Sequence, residues 1–155
     1  MKTSIVTFLI TFCFYLSAYA QASQDKAAEL KEQALSSLKQ KDYIKARYLF
    51  KKAYEAFAAR ENYPQAIECG IQANALYVRE NFYKEGFELC RDMEQFIWTG
   101  EQKQKKVFYD LRFPISKERL QMYIALKNPA QAKNQLDKLE EMAKLAKNED
   151  RKSVV

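Results

Sequence analysis

One spacing constrains this chain more than any other feature: a five-position stripe that recurs three times. Tyr43, Ala46, Phe50, Ala53 and Phe57 stand at offsets 0, +3, +7, +10 and +14, which is one face of an α-helix. Tyr83, Gly86, Cys90, Met93 and Ile97 repeat those offsets, and so do Pro129, Ala132, Leu136, Leu139 and Ala143. The +3 position is the smallest in each copy: Ala46, Gly86, Ala132. A small residue there lets the helix backbone approach a neighbour closely while large residues pack above and below the contact. Each stripe opens at or just after a capping residue, Asp42, Asn81 or Asn128. Proline directly after Asn128 suits a first helical position, where its missing N–H is not needed.

A helix is expected before each stripe. Ala27, Leu30, Ala34 and Leu38 share one face of about residues 24–40. Ile67, Gly70, Ile71, Asn74, Tyr77 and Val78 point inward from a helix over about 63–80 that starts at Pro64. The third lies between Gly100 and Lys127, kinked or broken at Pro114, with Ile115, Leu120, Tyr123, Ile124 and Leu126 buried. Gly100 reads as a helix C-cap. The connections are short enough to force antiparallel neighbours. Three Gly, three Pro and a charged content of 30% agree with an all-α fold. The expectation is three antiparallel helix pairs, over about 24–60, 62–98 and 101–148, stacked as a right-handed α-solenoid within a domain of residues 21–155.

The first twenty residues form a separate object. Lys2, the apolar run "TSIVTFLITFCFYLS" and Ala18-Tyr19-Ala20 have the make-up of a secretory signal peptide cleaved after Ala20. The run is shorter than the ~20 residues of a spanning helix. The expectation is a periplasmic or secreted protein with no stable membrane span after cleavage. Cleavage takes one lysine from a formal charge of +6. The remaining basic residues alternate with acids along each helix. "EQKQKK" (101–106) is the one basic run, and it reads as a solvated face, so nucleic acid is not an expected partner.

The sequence contains no His, which removes the commonest general base and zinc ligand. It has no phosphate-cradling glycine loop and no nucleophile elbow. Paired acids such as Glu140-Glu141 fall on exposed helix positions. Hence no enzyme activity, cofactor or metal is expected. Cys69 and Cys90 flank the turn near Glu80 at similar height, and in an oxidising compartment they could bridge. Packed helix axes are ~8–10 Å apart whereas a disulfide needs Cα atoms closer than ~7 Å, so a pair of free, buried thiols is the other reading. Phe82, Phe87, Phe96 and Trp98 lie off or beside the stripe, as inter-repeat packing or as a partner-contacting flank.

The stripe and its preceding helix resemble the tetratricopeptide repeat, a 34-residue helix pair with an Ala-x-x-x-Phe signature in its second helix. Ala34, Asp42-Tyr43, Ala46, Phe50 and Ala53 match it best. Asn74, Tyr77, Tyr83, Gly86, Cys90 and Met93 form a weaker copy. Tyr123, Ala132, Leu136 and Leu139 form a third, with Leu120 where a small residue belongs. The resemblance covers about Ala27 to Lys147, in repeats longer than the family norm. It implies a preformed concave groove that binds a protein or peptide. By the family pattern that groove is lined by Lys31, Leu35, Leu38 and Lys39, then Ile71, Ala75, Val78 and Arg79, then Lys117, Gln121 and Ile124. The two-carboxylate clamp of chaperone-binding members is largely absent, because Leu35 and Ala75 stand where its asparagines belong. Similar exported segments precede a membrane helix and signalling domain in some bacterial regulators, which gives an alternative reading as a sensor segment. A small ligand-binding helical protein or enzyme is a further alternative. The apolar positions of the last helix suit self-association.

Overall fold

The computed structural model describes residues 26–152, with side chains to residue 148. The expected leader, Met1–Ala20, lies outside the described residues. Six α-helices follow one another, with no strand among the described residues. They are α1 (residues 26–39), α2 (Tyr43–Ala58), α3 (Tyr63–Arg79), α4 (Tyr83–Gln104), α5 (Tyr109–Ala125) and α6 (Pro129–Lys152). The all-α expectation holds.

Four of the five junctions are built alike. Lys41, Glu61, Asn81 and Lys127 each take a left-handed conformation, with φ of 61°, 56°, 63° and 52°. The amide of the next residue reaches back to the carbonyl five positions earlier: Asp42 to Ser37, Asn62 to Phe57, Phe82 to Tyr77, Asn128 to Tyr123. This is the Schellman ending, which satisfies carbonyls the helix leaves open. The residue after the left-handed one caps the following helix. Asp42, Asn62 and Asn128 accept from the amides of Lys45, Gln65 and Gln131 through their side chains. Three such junctions at equal spacing put a tyrosine at the head of α2, α3 and α4, twenty residues apart. This rhythm explains why the helix pairs outrun 34 residues.

Two expected caps change place. Asn81 occupies the left-handed position, so Phe82 becomes the N-cap and offers no side-chain bond. Asn81 Oδ1 instead accepts from the Tyr83 hydroxyl at 2.7 Å. Gly100 is not a C-cap. It is buried inside α4, which continues to Gln104 and ends at left-handed Lys105. All three glycines lie within helices. Their role is close approach: a Cβ on Gly100 would stand 2.4 Å from a ring carbon of Tyr63.

The break between α4 and α5 falls at residues 105–108, and Pro114 is carried inside α5. Here the cap comes from within α4. Glu101, only 6% exposed, accepts from the Phe108 amide at 2.8 Å and from Arg112 Nε at 2.7 Å. Burial raises the Glu101 pKa, but the bonds from Arg112 and Phe108 and the Arg112 charge outweigh it and hold the carboxyl below its usual range.

Each helix from α2 onward packs on its chain neighbour, and α3 also packs on α5. Phe50, Ile67, Met93, Ile97, Ile115 and Met122 are the largest fully buried apolar side chains. Rings tie the rows together: Tyr54 meets Phe96 edge-on at 6.4 Å between centroids, and Phe96 stacks on Tyr63 at 4.6 Å. Phe87 packs on Tyr123 at 4.9 Å, so Phe87 and Phe96 are inter-helix contacts, whereas Phe82 and Trp98 are exposed. Ala34, Ala46, Phe50, Ala53, Gly86 and Cys90 are buried as expected, and Tyr43, Tyr83 and Ala132 are half-buried.

The last pair departs from expectation. Leu136 is 46% exposed, and Pro129 and Ala143 are exposed as well. Gln135 and Leu139 are the buried residues of α6. α6 has α5 on one side and no described helix beyond it, so Pro129, Leu136 and Ala143 of the expected stripe have nothing to bury against. Ile124 of α5 and Leu126, its C-cap, are exposed too. That helix buries Ile115, Ser116, Glu118 and Met122 instead.

Candidate functional site

Alternate helices come side by side through polar links. Lys31 Nζ on α1 donates to Gln65 Oε1 at 2.9 Å and to Glu68 Oε2 at 2.7 Å on α3. Asn74 on α3 donates to Glu118 Oε2 on α5 at 3.1 Å. Both Asn74 and Glu118 are buried. Buried amides and carboxylates without partners are costly, so this link fixes the register of α3 against α5. Gly86 makes room for it, since a Cβ there would stand 3.1 Å from Asn74 Oδ1.

The expected groove residues lie along these three helices. Leu35 and Leu38 on α1 and Ile71 and Val78 on α3 are half-buried and pack against the core. Lys39, Ala75, Arg79, Lys117, Gln121 and Ile124 are exposed. Their cations differ in availability. Lys31 is held by Glu68 with its side chain 18% exposed. The Arg79 guanidinium lies 3.9 Å from the centroid of the Tyr43 ring, so it reaches back to the start of α2. Lys39 and Lys117 form no ion pair among the described residues.

The bridge considered for Cys69 and Cys90 is not formed; both are free, buried thiols. Lys31 of α1 acts on Cys69, whereas Arg119 and Glu118 of α5 act on Cys90, so the two thiols face different neighbours. Burial pushes each thiol up to about 12, which leaves no thiolate for nucleophilic or redox work at neutral pH.

Two features were not read from the sequence. The first is a cavity of about 450 Å³ beside the α4–α5 connection, lined by Tyr63, Pro64, Val107, Phe108 and Tyr109 among others. Only the pairing of Gly100 with a distant tyrosine signals it, and that pairing is not visible in one chain. The second is a set of anchored guanidinium groups, Arg47 on α2 and Arg112 and Arg119 on α5. Arg47 pairs with Glu80 while lying over Tyr77 and Phe82, at 4.8 and 4.9 Å from their centroids. Arg112 pairs with Glu101, and Arg119 with Glu94 at 3.0 Å. Burial raises the Glu94 carboxyl pKa against the pull of Arg119, Arg112 and Lys138. Among the described residues no helix is long and apolar enough to cross a membrane, and no three metal-ligating side chains converge. Comparison with protein-family models, with curated proteins and with solved structures found no match for this chain.

Proposed function

We propose that the chain is an exported, tetratricopeptide-like helical repeat whose α1, α3 and α5 form a groove for a segment of another protein. The supporting observation is that these alternate helices are linked directly, through Lys31 to Gln65 and Glu68 and through Asn74 to Glu118. Stacked repeats that touch only their neighbours leave a continuous surface along one row of helices. On that surface Leu35, Leu38, Ile71 and Val78 supply a partly apolar floor, and Lys39 and Lys117 supply open positive charge. An extended or helical peptide with acidic groups suits it. The mechanism is capture on a preformed scaffold, without turnover.

A second reading, as the sensor segment of a longer signalling protein, draws support from Leu136 and Leu145, which are 46% and 45% exposed on the last described helix. A further repeat or a partner domain would cover that face.

Site-specific photo-crosslinking tests the groove. Crosslinkers at Ala75 and Gln121 are expected to trap a partner protein, and one at Lys52 on α2 is not. The Lys39→Glu, Lys117→Glu double variant is expected to lower the yield at Ala75 about tenfold or more. Equal trapping from all three positions, or an unchanged yield in the double variant, would reject the groove.

A further inference from the structure

The side of the molecule formed by α4, α5 and α6 carries a feature that the groove does not use. A hollow of about 360 Å³ is walled by Arg91, Glu94 and Trp98 from α4, Arg112 and Arg119 from α5, and Lys138 from α6. On α5, Arg112 and Arg119 are seven residues apart and share a face. Lys117 and Gln121 turn to the other side of that helix, so the hollow and the groove are separate surfaces.

Four cations around one hollow repel one another unless negative charge offsets them. The protein supplies only part of that charge. Glu101 takes Arg112, in a bidentate pair that also involves the Phe108 amide. Glu94 takes Arg119. Arg91 and Lys138, both exposed, form no ion pair among the described residues. Two positive charges are therefore left over. The Arg119 side chain is turned inward, with its Nε buried and its guanidinium beside the buried Cys90 thiol, so Arg91 and Lys138 are the cations left open to the hollow. The two anchored forks are already ordered, so a ligand meeting them loses little side-chain entropy.

We propose that this hollow is an oxyanion site, taking a phosphate or carboxylate group. Such a group balances Arg91 and Lys138 and forms charge-assisted bonds with them beside the anchored Arg112 and Arg119 forks. Gln135, only 6% exposed, lines the same hollow and offers an amide donor. The ligand is small, or is the anionic end of something larger that passes over Trp98, which is 51% exposed.

Trp98 is the sole tryptophan of the chain, so its emission reports on this hollow alone. Inorganic phosphate and citrate are titrated separately into the full chain at constant ionic strength, with chloride as the control and calorimetry as the second readout. At least one ion is expected to change the emission saturably, with a Kd of about 1 mM or tighter. The Arg91→Glu, Lys138→Glu double variant is expected to weaken that binding about tenfold or more. Both residues are exposed, and an unchanged circular dichroism spectrum will show that the fold is intact. Tighter binding of phosphate assigns the site to phosphorylated ligands, and tighter binding of citrate assigns it to carboxylates. No saturable change beyond chloride with either ion, or equal binding by the double variant, overturns the proposal.

Discussion

Phe50, Cys90 and Leu136 each stand seven residues after the first residue of their helix, yet only the first two are fully buried while Leu136 is 46% exposed. The contrast is between the early helices and the last pair. α2 buries two adjacent columns, with Leu49 beside Phe50 and Ala53 beside Tyr54, because α3 packs along it and Phe96 of α4 also meets Tyr54. α6 buries one column, through Gln135 and Leu139. The same offsets therefore become core or surface according to what stacks next. Periodicity specifies a face; coverage decides its width.

Truncating equivalent residues gives the largest expected effect. Phe50→Ala opens a cavity in close-packed surroundings and is expected to cost about 3–5 kcal/mol. Leu136→Ala removes a half-solvated side chain and is expected to cost roughly 0.5 kcal/mol. Urea unfolding of both variants measures the difference. Equal costs would mean that Leu136 is covered in solution, and the contrast between early and late helices would fail.

A sharper version of the comparison uses the helical glycines, because all three admit a neighbour but the neighbours differ in stiffness. A Cβ at Gly100 meets the Tyr63 ring at 2.4 and 2.5 Å, and that ring stacks against Phe96 and contacts Phe108. A Cβ at Gly86 meets the Met122 sulfur at 2.8 Å, its tightest contact, and Asn74 Oδ1 at 3.1 Å, which must give by a few tenths of an ångström. A stacked ring has no alternative place, whereas a methionine adapts its three torsions. Gly100→Ala is expected to cost about 2 kcal/mol net, despite a helix-propensity gain of ~1 kcal/mol. Gly86→Ala is expected to fall within about 1 kcal/mol of neutral. Thermal unfolding ranks them, and the reverse order would show that the Gly86 seam is the rigid one.

This pair also shows how far the sequence could be read. The stripes through Ala46 and Gly86 were legible because each rests on a local 3.6-residue rhythm reinforced by a small residue at a fixed offset. Ala34, Phe50, Met93 and Ile97 accordingly lie where that rhythm puts them. Gly100 was misplaced because its partner is a ring 37 positions earlier in the chain, and a glycine needed for approach looks the same as one needed for a left-handed turn. The turns were obscured for the opposite reason: Lys41, Glu61 and Lys127 take positive φ without being glycine. At the end of α5, Ile124 and the C-cap Leu126 look like core, but the buried face of the helix holds Ser116 and Glu118 beside Ile115 and Met122. Buried polar pairs oppose the hydropathy pattern, so Glu118 reads as surface until Asn74 is placed opposite it. The groove positions could be assigned to helices, but which cations stay open could not, since Lys31 and Arg79 meet partners on other helices.

Glu118 gives the smallest expected effect and the most specific one. The interior of α2 is apolar, whereas the seam between α3 and α5 contains a carboxyl with 8% exposure. Burial pushes its pKa above the usual carboxylate range, with the Asn74 bond and the Lys117 charge opposing. Because the folded pKa is raised, the neutral form favours folding. That contribution is full below the unfolded value of about 4.3 and is lost as pH rises through the folded one. Asn74 Oδ1 meanwhile is buried with no partner. Glu118→Gln keeps an acceptor for the Asn74 amide, adds a donor for that oxygen and removes the buried charge. The variant is expected to be more stable than the parent by about 1 kcal/mol or less at pH 7. The gain is expected to shrink toward zero near pH 4, where the parent carboxyl is neutral as well. Urea midpoints at the two pH values measure both. A loss of stability at pH 7 would mean that the negative charge itself supports the seam, through Lys117 or another cation, and that α5 is held to α3 by electrostatics where α2 and α3 are held by packing.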